Sequence, residues 1–118
     1  MNRMLIDVLT YMIEDCEDIE NAINRVGTID NMDSDRPLRK AIVFSILNLG
    51  ELTKLLEQHL DLTTTDINWK GLKGMREIAA HRYKSMDSII IWDTCVNHIP
   101  KIHSFLKEKQ KQYLHESE

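Results

Sequence analysis

Apolar residues early in the chain fall at Leu5, Leu9, Met12, Cys16, Ile19 and Ile23, so their spacing alternates between four and three. That alternation is the seam of a helix laid lengthwise on another, and Gly27 ends it. The polar stretch TIDNMDSDRP reads as a loop. Pro37 suits the first turn of a second helix, where its missing N–H would have no partner in any case. This helix is expected to run to about Leu60, burying a stripe of Leu38, Ala41, Ile42, Ser45, Leu52, Leu55 and Leu56, with Gly50 as a point of close helix approach. After the loop DLTTTDIN, Asp66 or Asn68 can cap a third helix starting near Trp69, and Ser85 or Asp87 a fourth starting near Ser88. SIIIW at 88–92 has strand-like composition, but it is short. Trp92, Cys95, Val96, Ile99, Ile102, Phe105 and Leu106 continue a helical period after it. Pro100 is expected to kink or break that last helix, and the C-terminal KEKQKQYLHESE reads as a fraying end with its last few residues disordered. No strand is needed: the pattern predicts an all-α, up-down bundle of four to five helices forming one domain over 1–118.

Composition fits a single core that needs no metal or disulfide staple: 118 residues, 42% hydrophobic and 29% charged, with only four Gly and two Pro. The two cysteines, Cys16 and Cys95, lie at apolar helical positions without ligand or redox spacing and read as buried free thiols in a reducing compartment. With no transmembrane-length apolar run and no cleavable leader pattern, the expected location is the cytoplasm, away from membranes. The acidic run Glu14, Asp15, Glu17, Asp18 and Glu20 beside the first seam reads as a solvated face, with a docking surface as the alternative.

A net charge of −4 argues against non-specific coating of nucleic acid, but the charge is unevenly placed. Between residues 69 and 84, Lys70, Lys73, Arg76, Arg82 and Lys84 face one acid, Glu77, which gives +4 and leaves −8 for the rest of the chain. That segment contains MREIAAHRYK. On a helix, Leu72, Met75, Ile78 and Ala79 set its core side; Arg76 and Tyr83 share one flank, and His81 falls on the other, stacked over Glu77 at i, i+4. A straight helix therefore keeps Arg76 and His81 apart, unless its end unwinds near His81 or a second copy brings two motifs face to face. The residue types suit metal-free cleavage of an RNA phosphodiester. Imidazole exchanges protons near neutral pH, and guanidinium can clamp a phosphate and stabilise charge on its oxygens. Glu77 favours the imidazolium form of His81, which helps an acid and hinders a base. The alternative is that Arg76 and His81 serve the helix dipole and cap its last carbonyls while Tyr83 anchors the turn. His98 and His103, five apart around Pro100, lack a completing carboxylate or Cys and read as surface or packing residues; Trp69 and Trp92 read as core rather than base-stacking platforms.

The pattern Arg76, four residues, His81, one residue, Tyr83 resembles the R-x-x-x-x-H-x-Y motif of the HEPN superfamily. LNLGELTKLL, INWKGLKGMR and IIIWDTCVNHIPKI resemble segments of its HepT-like branch in the same order, over roughly residues 1–110. The resemblance implies a HEPN-like bundle that dimerises so that two motifs share one cleft. It also implies a metal-independent endoribonuclease toxin of a type VII toxin–antitoxin system, needing no cofactor, with RNA as substrate and a minimal nucleotidyltransferase antitoxin (MntA-like) as partner. Arg76 and His81 would be catalytic, Lys70, Lys73, Arg82 and Lys84 would contact RNA, and Tyr83 would be the tyrosine that the antitoxin adenylylates. Glu77 departs from the superfamily, which often has Asn or another small polar residue there, and is read as modulating the pair. The alternative is a non-catalytic nucleotide-binding or protein-interaction module on the same fold.

Overall fold

The computed structural model describes residues 3–116, and among these every regular element is helical. Helix α1 (Arg3–Val26) leads through a short α2 (Ile29–Ser34) to α3 (Arg36–Leu56); α4 (Trp69–Arg82) follows a twelve-residue connection over 57–68. A 3₁₀ turn (Tyr83–Ser85) joins α4 to a continuous rod made of α5 (Ser88–Asp93), a π-helical turn (Thr94–His98) and α6 (Ile99–Glu116). The long helices pack in the spatial order α4, α3, α1, α6, and the body measures 46 × 26 × 23 Å. The expected all-α bundle is the observed one.

The seam of α1 is buried as read: Leu9, Met12, Cys16 and Ile19 are wholly inaccessible, and Val8 and Ile13 widen the stripe. Gly27 takes a left-handed φ of 75° and donates its N–H to the Ile23 carbonyl at 2.9 Å, closing the helix.

TIDNMDSDRP is not simply a loop. Thr28 caps α2 by accepting from the Asn31 N–H at 3.1 Å, Asn31 Nδ2 donates to the Val26 carbonyl at 2.8 Å, and Met32 is fully buried. Two apolar residues, Ile29 and Met32, among eight polar or turn-forming ones are too few to show a period, so the sequence hides this element. Asp35 then caps α3 by accepting from the Leu38 N–H, with Pro37 in the first turn as expected.

Helix α3 ends at Leu56 rather than near Leu60, and its buried stripe runs Leu38, Ile42, Ile46, Leu49, Thr53, Leu56. Ala41 and Leu55, expected inside, lie off that stripe and are exposed. Thr53 enters the core because its hydroxyl donates to the Leu49 carbonyl at 2.7 Å. Asn68 and Asp87, each one of two candidates, cap α4 and α5 by accepting the N–H of Gly71 and Ile89.

The last rod runs on through Pro100, and the interruption expected near that residue is a π-helical turn just before it. Without an N–H the proline cannot bond the fourth carbonyl before it, and the backbone absorbs the misfit one turn earlier, where Ile99 N–H bonds the Thr94 carbonyl five residues back. The wider turn rotates Val96 out to solvent, against expectation, and keeps Ile91, Cys95, Ile99, Ile102 and Leu106 buried. The expected C-terminal disorder lies outside the described residues for 117 and 118; up to Glu116 the chain is helical.

Of the acidic run on α1, only Glu14, Glu17 and Asp18 are solvated. Asp15 is half-buried and hydrogen-bonds Asn48, while Glu20 is partly buried and its carboxylate pairs with His103 Nδ1 at 2.9 Å. Trp69 is core, edge-on to Phe105 at 5.5 Å, with its indole N–H on Thr65 Oγ1 at 2.8 Å.

Candidate active site

Helix α4 is seated on α3 at one unusually close point. A Cβ added to Gly50 would lie 2.4 Å from Arg76 Cβ and 3.1 Å from the Leu72 carbonyl oxygen, so only glycine admits this approach. Gly50 therefore does what its position in the second helix suggested. The contact sets Arg76 against α3 with its side chain 23% exposed, and Glu51, next to that glycine, reaches across to pair with Arg76 Nε.

The second carboxylate on Arg76 comes from α4 itself. Arg76 Nη1 donates to Glu77 Oε1 at 2.6 Å, and Glu77 Oε2 lies 3.6 Å from His81 Nε2. The structure thus places Arg76 and His81 on different flanks, as helix geometry requires, and links them through Glu77, the residue that departs from the superfamily pattern. His81 is the outermost member at 70% exposure. The helix is regular as far as His81. Its period is lost at the next residue, Arg82, whose φ of −142° and ψ of 46° lead into the 3₁₀ turn. The helix end thus unwinds directly after His81, and within one chain that still leaves Arg76 and His81 on separate flanks.

Tyr83 leaves the helix with that break and is half-buried against the core, its ring 5.5 Å from the guanidinium carbon of Arg39. Arg39 was not legible as a site residue. It donates to the Met86 carbonyl at 2.9 Å and to Ser88 Oγ at 3.1 Å, and pairs with Asp33 at 3.4 Å, so it ties the turn after the motif to the start of α3.

The remaining basic residues divide. Lys70, Arg82 and Lys84 are exposed, whereas Lys73 is tied to Glu57 at 2.6 Å. Lys70, Lys73, Glu77, Lys84 and His81 occupy the outer face of α4 and its following turn, a flank continuous with Arg76. Ile78, expected on the core side, is 39% exposed instead. None of the motif residues Arg76, His81 and Tyr83 lines the cavity of about 290 Å³ between α4 and the π turn, which Asn68, Met75, Thr94, His98 and Lys101 help to enclose. Among the described residues no group of three or more His, Cys, Asp or Glu side chains is placed to hold a metal ion, and no helix is long and apolar enough to cross a membrane.

A guanidinium, a carboxylate and an accessible imidazole in series, on a face with further cations, can bind a phosphate and exchange protons beside it. The ribonuclease HepT-like family model matches residues 12–108. The chain is 28% identical over 100 residues to a provisionally named RNase of Caldanaerobacter subterraneus subsp. tengcongensis, covering 85% of this chain and 88% of that protein. Two provisionally named RNases of Methanocaldococcus jannaschii are 28% identical over 96 residues (80% of this chain, 79% of the relative) and 24% identical over 98 (81% and 90%). No solved structure matches.

Proposed function

Because the chain belongs to the HepT-like ribonuclease family and is an RNA endonuclease, we propose that Arg76 and His81 carry out the cut. In this reading the His81 of one protomer takes the proton from a ribose 2'-hydroxyl, whose oxygen attacks the adjacent phosphorus, and the imidazolium of the partner's His81 gives its proton to the 5'-oxygen as the bond from that oxygen to phosphorus breaks. Arg76 holds the phosphate and stabilises the charge that builds on its oxygens. The observation that carries the proposal is the Arg76–Glu77–His81 series, ending in an accessible imidazole on a cationic face. The chemistry needs no metal, and Lys70, Lys73, Arg82 and Lys84 supply contacts to the RNA backbone.

The motif of one chain offers a single imidazole, and Arg76 and His81 sit on separate flanks, so the working unit is a homodimer in which two motifs face one cleft. The α3 face beside the motif supports this: Phe44 is 62% exposed and Leu55 38%, and helical spacing puts both on the same face as Glu51. The chain is one HEPN-like domain and acts in the cytoplasm as the toxin of a type VII pair. Its minimal nucleotidyltransferase antitoxin silences it by adenylylating Tyr83: the phenolic oxygen attacks the α-phosphorus of ATP and pyrophosphate leaves. The phosphate added at the end of the motif repels RNA and blocks its approach.

Purified protein incubated with RNA in excess chelator tests the cut. Cleavage is expected with wild type and lost with His81→Ala; intact RNA with wild type, or unchanged cleavage by the variant, refutes it and favours a non-catalytic module. Sedimentation of Phe44→Glu is expected to give monomers with no cleavage. Co-expression with the nucleotidyltransferase should put AMP on Tyr83 in peptide mass spectra, and AMP found only elsewhere would overturn that part.

A further inference from the structure

Two carboxylates hold Arg76 in the resting chain, and only Glu77 belongs to the motif. The other, Glu51, comes from a different helix and reaches Arg76 Nε because Gly50 removes the side chain that would keep α4 away. Glu51 also lies 3.4 Å from Lys54 Nζ, so Glu51, Glu77, Arg76 and Lys54 form a network of two anions and two cations before any RNA arrives. Guanidinium is planar and carries five donors. Glu51 is paired across the helices at the Nε edge and Glu77 is bonded at Nη1, so a phosphate that approaches the guanidinium by either of those edges meets a carboxylate already there.

From this we infer that Glu51 is a positioning residue for Arg76 and that its carboxylate competes with RNA phosphate for the guanidinium. The inference rests on the reading of Arg76 as the phosphate-binding residue. It assigns Glu51 two opposed effects: it orients Arg76 for the reaction and weakens ground-state binding of RNA. A contact that served stability alone would do neither independently of folding.

Glu51→Gln keeps the size and removes the charge. Steady-state cleavage of a labelled oligoribonucleotide should show kcat down at least about tenfold, since a misaligned clamp loses transition-state stabilisation. KM should fall about threefold or more. A non-cleavable oligonucleotide with 2'-deoxyribose at the scissile position should bind more tightly to Glu51→Gln than to wild type by fluorescence anisotropy. Glu51→Asp keeps the charge and shortens the reach, so kcat should drop while the affinity for the non-cleavable strand rises less than it does in Glu51→Gln. Wild-type kcat in either variant, or equal affinity of wild type and Glu51→Gln for the non-cleavable strand, overturns the inference. If Glu51→Gln does not fold, kcat of Glu51→Asp decides. Failure of wild type to cut RNA strikes the proposed reaction, whereas an unchanged affinity on charge removal strikes the role of Glu51 alone.

Discussion

Gly50→Ala places one methyl group where α3 and α4 nearly touch. The added carbon would sit 2.4 Å from Arg76 Cβ, a rigid atom beside the backbone, so α4 must withdraw by roughly 1 Å to restore ordinary contact. Overpacking of that kind costs about 1–3 kcal/mol, and alanine returns up to about 1 kcal/mol through its better helix propensity. The net loss is about 1–2 kcal/mol. Unfolding a chain of 118 residues releases on the order of 250 cal/mol/K, so Tm should fall by about 4–8 °C. Activity should fall further than folding does, because the turn that moves carries Arg76, and a displacement near 1 Å can cost on the order of a hundredfold. Thermal denaturation by circular dichroism gives the first quantity. RNA cleavage well below both melting temperatures gives the second. A variant with unchanged or higher Tm and full cleavage would refute the close-approach argument.

Burial pushes the Asp15 carboxyl up to about 6 from 3.8; the hydrogen bond with Asn48 opposes the shift, and Asp18 and Glu14 add to it. A raised folded-state value means that the protonated form favours folding below pH 4 and that this contribution is lost as pH rises through about 6. Asp15→Asn should therefore be more stable than wild type at pH 7 by about 1–2 kcal/mol, after discounting for solvent screening at a half-exposed group, and equal to it below pH 4 in denaturant titrations; a gain independent of pH would refute the cause. Met32→Ala should lose about 2–5 kcal/mol by urea denaturation, since the side chain is fully buried, and a loss under about 0.5 kcal/mol would return TIDNMDSDRP to a loop. Burial pushes the thiols of Cys16 and Cys95 up, the latter to about 12, so alkylation of native protein at pH 8 should be slow and become fast only in denaturant; rapid labelling of the native chain counts against both placements.

Periodicity made the long helices legible because each buries one continuous stripe: the α1 seam reads directly from Leu5 to Ile19. The same reasoning fails where burial rests on one residue or on an irregular turn. Met32, with Ile29 partly buried three residues before it, anchors α2 over too short a span to show a repeat, and the π turn before Pro100 shifts the phase that should have buried Val96. Within the site, Arg76, Glu77, His81 and Tyr83 were legible because they are neighbours in one motif. Glu51 and Arg39 were not, because what makes them part of the site is a contact across helices. Gly50 marked where two helices would meet, but only the fold shows which side chain the next residue would hold.

The tie at Arg39 bears on what a minimal version of this protein could be. Arg39 binds the Met86 carbonyl and the Ser88 hydroxyl, 47 and 49 residues further along, and so closes a long loop around the segment that contains the motif. Closing such a loop costs entropy that only the assembled bundle offsets. A synthetic peptide of α4 and its following turn would contain every letter of the motif, yet neither the seat of Arg76 nor the restrained ring of Tyr83. Grafting MREIAAHRYK onto another helix would transfer the sequence signature and leave the chemistry behind.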